Sequence, residues 1–112
     1  CKVTAVMNSP KQAMHNRQMI AAKGMNSYID LKEIDYRDIE GKYDKIVSIE
    51  MIEAVGEQYW DNYFQKIAAS LKGKGAAIVQ GITIQDDLFY SYRQKTDFIQ
   101  NYIFPGGMLL AN

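Results

Sequence analysis

The stretch that most limits how this chain can fold is Tyr43–Gly56. Its apolar run, Ile46-Val47-Ser48-Ile49, has the length and β-branched content of a buried strand. Two carboxylates follow at once, Glu50 and Glu53, and then Gly56, whose backbone reaches angles that other residues avoid. In an open α/β sheet, ligands lie in the crevice beyond the carboxyl ends of the strands. Acids at such an end are either placed for chemistry or simply solvated at the start of a loop, and exposure is the commoner fate of an acid.

Downstream, the spacing predicts a helix over 57–71. Trp60, Tyr63, Phe64, Ile67 and Leu71 recur at three- and four-residue steps and make one apolar stripe. An aromatic stripe of this kind is core. Lys72-Gly73-Lys74-Gly75 is a turn; it follows a helix rather than opening one, so it is no phosphate loop. Ala76–Ile84 is the next strand, apolar enough to be covered on both faces. Gln80 interrupts it. A buried amide needs hydrogen-bond partners, so Gln80 is either a satisfied core group or a ligand contact.

Before the central stretch, Lys2–Met7 is a strand. Ser9 caps a helix with Pro10 at its first position and Gln12 placed for a capping box. That helix runs to about Lys23, with Ala13, Met14, Ile20 and Ala21 inward and Gly24 closing it. A further strand covers 28–34, and Asp35-Tyr36-Arg37-Asp38 is the polar loop at its end. Asp86 and Asp87 open a last helix with Phe89, Tyr92, Thr96, Ile99 and Ile103 on one side, and an apolar tail follows, broken by Pro105-Gly106-Gly107. The order β-α-β-β-α-β-α, with parallel-type strands, is α/β.

Composition closes several doors. The 112 residues make one domain at most. Basic and acidic residues balance at 13 each, so no field draws the chain to nucleic acid or to an anionic membrane. No apolar run approaches the roughly 18 residues of a membrane span, and no signal peptide is visible. Cys1 is the single cysteine, which excludes an internal disulfide and suits a reducing cytoplasm. With one histidine, His15, on a solvated helix face, no metal site is expected. The absence of an acid at the end of Lys2–Met7 argues against a nicotinamide dehydrogenase. The chain begins without methionine, inside a strand, and is expected to be a fragment.

Four segments together carry a resemblance: Cys1-Lys2-Val3-Thr4, Asp35-Tyr36-Arg37-Asp38-Ile39, the whole of Tyr43–Gly56, and Asp97–Gly107 with its Tyr-Ile-Phe-Pro-Gly-Gly ending. In this order the chain resembles the cyclopropane-fatty-acyl-phospholipid synthase and mycolic acid cyclopropane synthase family. These are S-adenosylmethionine-dependent methyltransferases. The resemblance implies a Rossmann-like methyltransferase sheet, here a single partial domain over 1–112 holding about four strands, the second to the fifth, with flanking helices. The first strand and its glycine loop would lie upstream, and residues 85–112 would begin the acyl-pocket or lid region.

The resemblance also implies roles. Met7, Asn8, Ser9 and Gln12 match the cofactor loop after the second strand, although the family often has Thr and Leu or Ile where this chain has Met7 and Asn8. Tyr36 and Arg37 match the pair near the adenine, and Ile49 an adenosine-side contact. Glu53 matches the active-site glutamate that helps hold a bicarbonate ion, the base of ring closure. Ile82 matches a backbone contact to that anion, and Gln80 stands where the family commonly has His. Gln can hydrogen-bond an anion but carries no proton. The implied reaction moves a methylene to a cis double bond of an unsaturated phospholipid acyl chain, at the inner membrane face, with the enzyme cytoplasmic and peripheral. A relative that methylates an amine, or a lipid without ring closure, is the alternative; a non-catalytic fragment is another. Without the first strand the fragment is expected to be inactive alone. It is also expected either to pair its second and fourth strands directly or to fill the gap from another chain, as a homodimer or strand-swapped assembly.

Overall fold

The computed structural model describes residues 1–95 and 98–111, and of Ile99 the backbone alone. Thr96, Asp97 and the Ile99 side chain therefore lie outside the described residues. The chain divides into two compact units, Cys1–Glu40 and Gly41–Asn112, and each is taken by itself.

In the first unit, strand β1 (Val3–Met7), helix α1 (Pro10–Ala22) and strand β2 (Ile29–Glu33) follow one another. The strands pair in parallel from Val3 opposite Ile29 to Met7 opposite Glu33. Ser9, extended, accepts the Gln12 N–H at 3.4 Å, and Pro10 opens the helix. At the other end Gly24 takes a φ of +64°. Its N–H bonds Ala21, while that of Met25 reaches Ile20, the paired closure that a left-handed glycine permits. Of the four side chains expected inward, Ala13 is fully buried, Ile20 half-buried, and Met14 and Ala21 exposed. Asn16 and Arg17 split the apolar stripe; Arg17 instead turns to Glu33 at the end of β2, 3.1 Å away.

The second unit runs β3 (Tyr43–Ile49), α2 (Ile52–Val55), a 3-10 turn (Glu57–Tyr59), α3 (Trp60–Ser70), β4 (Leu71–Gln80), β5 (Thr83–Ile84), α4 (Asp86–Arg93), a π turn (Ile99–Ile103) and β6 (Leu110–Ala111). β3 pairs with β4 and β5 with β6, both in parallel. With β1–β2 these are the ladders among the described residues. The core here centres on Ile52 and Tyr63, each about 1% exposed. Tyr63 comes from the aromatic stripe of α3 and its hydroxyl meets Ser48 Oγ of β3 at 2.7 Å. Phe64, also expected in the core, is 47% exposed.

Two expectations need correction. Lys72–Gly75 is not a turn between helix and strand: it lies within β4. Tyr43 opposes Leu71 while Lys45 opposes Ala76, so these four residues swell out as a bulge facing Asp44, and Lys72 pairs with that carboxylate at 2.8 Å. A parallel ladder tolerates such an excursion where one strand carries more residues than its partner. The second correction is the predicted strand 76–84, which breaks after Gln80 and resumes at Thr83. Gly81 sits at the break. A Cβ there would stand 2.9 Å from Ile52 Cγ2 and 3.5 Å from Glu53 Oε1, so only glycine passes unstrained.

Candidate functional site

The carboxyl ends of β3 and β4 bring together Ile49, Glu50, Glu53, Gln80 and Ile82. Ile49 lies opposite Gln80 in the ladder. Immediately after it, Glu50 has a φ of +49°, the one positive value at a non-glycine position among the described residues. This left-handed backbone costs a non-glycine residue on the order of 1 kcal/mol or more. It is held by two bonds to the same partner. The Glu50 N–H donates to the Gln80 carbonyl at 2.9 Å, and Gln80 Nε2 donates to Glu50 Oε1 at 3.3 Å.

Glu53, one turn on, sits in α2. Its Oε1 accepts the backbone N–H of Ile82. Its Oε2 is buried and has no hydrogen-bond partner among the described residues. A buried polar atom without a partner costs about 1–3 kcal/mol, and such an atom is a common mark of a site awaiting a ligand or water. Beside it lies a small, half-open cleft lined by Glu53, Tyr92, Gln100, Phe104 and the Gly107–Leu109 segment. The lining is overwhelmingly apolar apart from the carboxylate and the Gln100 amide.

The tail holds this cavity in place. Gln100 Nε2 donates to the Gly107 carbonyl at 3.1 Å, and the Met108 N–H donates to the Glu53 carbonyl at 2.8 Å. A Cβ on Gly107 would meet Phe104 O at 3.0 Å and Glu53 O at 3.2 Å, so the close approach of tail to α2 depends on glycine. Trp60 Nε1 donates to the Ile52 carbonyl at 3.3 Å, and Arg93 pairs with Glu57 at 2.9 Å. Sequence reasoning missed Gln100, Gly107 and Met108 as parts of the site. The adjacent amides Gln100 and Asn101 within the otherwise apolar run 98–104 were the available signal, of the kind that singled out Gln80. It had marked Glu50 only as one of two acids, because its backbone angle is invisible in the residue string.

In the first unit, the remaining candidates gather at the carboxyl ends of β1 and β2. Met7 is half-buried, with Asn16 Nδ2 at 3.5 Å from its sulfur. Asn8 and Gln12 are exposed, and Ser9 is half-buried at its cap. Tyr36 and Arg37 lie in a 3-10 turn capped by Asp35. Arg37 closes back on Asp35 through Nε at 2.8 Å and Nη2 at 2.7 Å, and its guanidinium stands 6.0 Å from the Tyr36 ring centre. These Arg37 side-chain bonds, with help from the Arg37 backbone N–H, hold the Asp35 carboxyl at about 2, below its ordinary 3.8. Arg37 is thus anchored locally. Among the described residues no group of three or more potential ligands could hold a metal ion, and no helix is long and apolar enough to cross a membrane.

Parallel strands joined through helices, with the candidate side chains at their carboxyl ends, define a Rossmann-like methyltransferase fold. The same architecture occurs in the solved mycolic acid cyclopropane synthase CmaA1, in complex with SAH and CTAB. It matches 98% of this chain and 42% of that one with a TM-score of 0.83 at 24% identity. The cyclopropane synthase MmaA2 from Mycobacterium tuberculosis gives 0.81 over the same shares at 19% identity. A family model described as mycolic acid cyclopropane synthetase matches residues 1–112, and the chain belongs to that family. Among curated relatives, the tuberculostearic acid methyltransferase UfaA1 of Mycobacterium tuberculosis is 38% identical over 96% of this chain and 25% of its own length. A probable fatty acid methyltransferase of Pseudomonas putida is 35% identical over 96% and 28%. The cyclopropane-fatty-acyl-phospholipid synthase of Escherichia coli K12 is 36% identical over 67% and 19%. The chain spans about a quarter of the length of the first two.

Proposed function

We propose that the protein is an S-adenosylmethionine-dependent methyltransferase acting on cis double bonds of unsaturated phospholipid acyl chains. The observation that carries this reading is Glu53 Oε2, a buried acceptor without a partner at the edge of an apolar cavity. An alkene has no charge to recognise; an apolar cavity accepts it, and the carboxylate faces positive charge as that develops on the chain. S-adenosylmethionine supplies an electrophilic methyl group. In the first unit the Met7–Gln12 loop, through the Ser9 and Gln12 side chains, would hold its polar parts, and Tyr36 and Arg37 would lie near its adenine. Tyr36 is half-buried and the neighbouring Arg37 anchored, which fits a preformed seat for an aromatic base. Tyr92, Phe104 and Leu109 give the cleft an apolar wall from which an acyl chain would displace water, which would otherwise quench a cation. All of the lining except Glu53 comes from 85–112, which supports the reading of that segment as the start of the acyl pocket. The acyl chain would be met at the inner face of the membrane by a cytoplasmic, peripheral enzyme.

Ring closure to a cyclopropane is the finer form of this activity. Methyl transfer without ring closure is the second form. It is favoured by Gln80, which carries no proton and is bonded to Glu50, and by the names of the two relatives that cover 96% of the chain.

The test is transfer of label from methyl-labelled S-adenosylmethionine to vesicles of dioleoyl phosphatidylglycerol by the full-length protein, with product mass by spectrometry. Labelled acyl chain is expected, and calorimetric binding of the cofactor is expected to be lost in Tyr36→Ala. Binding of the cofactor with no label in lipid, but label in added amines, would replace this reading with the amine alternative.

A further inference from the structure

The resemblance places a bicarbonate ion between Glu53, residue 80 and the Ile82 backbone. The residues present do not fit it. An anion seat needs donors, and the donors expected to make it are already engaged. The Ile82 N–H is given to Glu53 Oε1, and Gln80 Nε2 is given to Glu50 Oε1 at 3.3 Å. A carboxylate only accepts, so it fixes the amide with nitrogen towards Glu50 and oxygen away. The second N–H of that amide stays on the nitrogen beside Glu50, where an anion is repelled. What these side chains offer is acceptors: Gln80 Oε1 and Glu50 on exposed residues, and the buried, partnerless Glu53 Oε2. Glu50 keeps this arrangement at the expense of a left-handed backbone at φ +49°, the kind of local strain that persists at functional positions.

We propose that this site works without a bound anion, that Glu53 Oε2 is itself the proton acceptor, and that Glu50 is the positioning residue that turns the Gln80 amide donor away. The inference rests on the acyl methyltransferase reading above. The alkene electron pair bonds one alkene carbon to the methyl carbon as its C–S bond breaks and S-adenosylhomocysteine leaves with the C–S pair. A C–H bond on the substrate then breaks and its proton forms an O–H bond on Glu53 Oε2. The released electron pair makes the new C–C or C=C bond that discharges the cation. The Glu53 carboxylate also favours that cation electrostatically over any anion.

The test uses the full-length protein in carbon-dioxide-free buffer. Transfer of methyl label to dioleoyl phosphatidylglycerol is expected to stay within about twofold when bicarbonate is added, whereas stimulation of about tenfold or more would overturn the proposal. Glu53→Gln, which keeps an acceptor for the Ile82 N–H, is expected to lower kcat by about a hundredfold or more, and near-normal turnover would overturn it. Glu50→Gln keeps the backbone but lets the Gln80 amide rotate. It is expected to lower kcat about tenfold with unchanged cofactor affinity, and to be no worse when combined with Gln80→Ala than that variant alone. Additive losses would overturn the positioning role. A readout independent of turnover is the line width of carbon-13-labelled bicarbonate titrated with the protein. No saturable broadening is expected for the natural protein, and broadening abolished by Glu53→Gln would overturn the proposal. If no lipid is ever labelled, the functional reading fails, and the bicarbonate titration still decides whether an anion seat exists.

Discussion

Glu53 uses its two carboxylate oxygens differently: Oε1 takes the N–H of Ile82, while Oε2 is buried with no partner among the described residues. One oxygen fixes the side chain; the other is left for whatever enters the cavity. Glu53→Ala is therefore expected to behave differently from Glu53→Gln in stability. The alanine strands the Ile82 N–H and should lower unfolding free energy by about 1–2 kcal/mol, whereas the glutamine should stay within about 1 kcal/mol. Denaturant unfolding of both variants checks this, and equal losses would contradict it.

The approach of the tail to α2 depends on Gly107. Its added Cβ would press on two backbone carbonyls, of Phe104 and Glu53, at 3.0 and 3.2 Å, and backbone cannot swing aside as a side-chain tip can. Gly107→Ala is expected to cost about 1–3 kcal/mol and to enlarge or shift the cavity. An unchanged unfolding midpoint would show that the tail has room to give.

Tyr63 and Ser48 tie α3 to β3. Removing the phenol oxygen in Tyr63→Phe leaves the Ser48 hydroxyl without it, for about 1 kcal/mol. In a double-mutant cycle with Ser48→Ala, part of that loss is expected to return. Strict additivity would mean that the 2.7 Å contact contributes nothing of its own.

How far could the residue string alone have gone? It located β1 to within a residue, placed α1 with the right cap and the right closing glycine, and put α3 where the aromatic stripe falls, because periodicity and capping are local. It failed at Lys72–Gly75, since a Gly-Lys-Gly turn and a bulged strand look the same until the partner strand is known. It foresaw Gln80 as an anomaly without foreseeing Glu50 as its partner, because contacts 30 residues apart leave no local trace. Of the two acids it chose Glu53, and the choice came from the family resemblance; spacing offered no means to tell which acid is strained and which points into a cavity.

In the first unit, Asp35 is the group whose ionisation is set by folding. Its value of about 2 lies below the ordinary 3.8, so its stabilisation is complete above 3.8 and is lost as the pH falls through about 2. The pair with Arg37 is solvent-accessible, so screening keeps its contribution to stability small. A carbon-13 titration of the Asp35 carboxyl should give a midpoint near 2 that returns towards 3.8 in Arg37→Gln. A natural protein titrating at 3.8 would mean that the bonds to Arg37 do not persist in solution.

The swelling at Lys72–Gly75 fixes the phase of everything after it. Beyond Ala76 the two strands march in step to Ile49 and Gln80, whatever the count of residues before it. Chain length between α3 and the strand end is therefore decoupled from which side chain arrives beside Glu50. A residue added or lost within the bulge would change the size of a surface excursion, whereas one added after Ala76 would rotate Gln80 to the opposite face. Among descendants of one ancestor, length variation should accumulate on the first side of that boundary and be purged on the second.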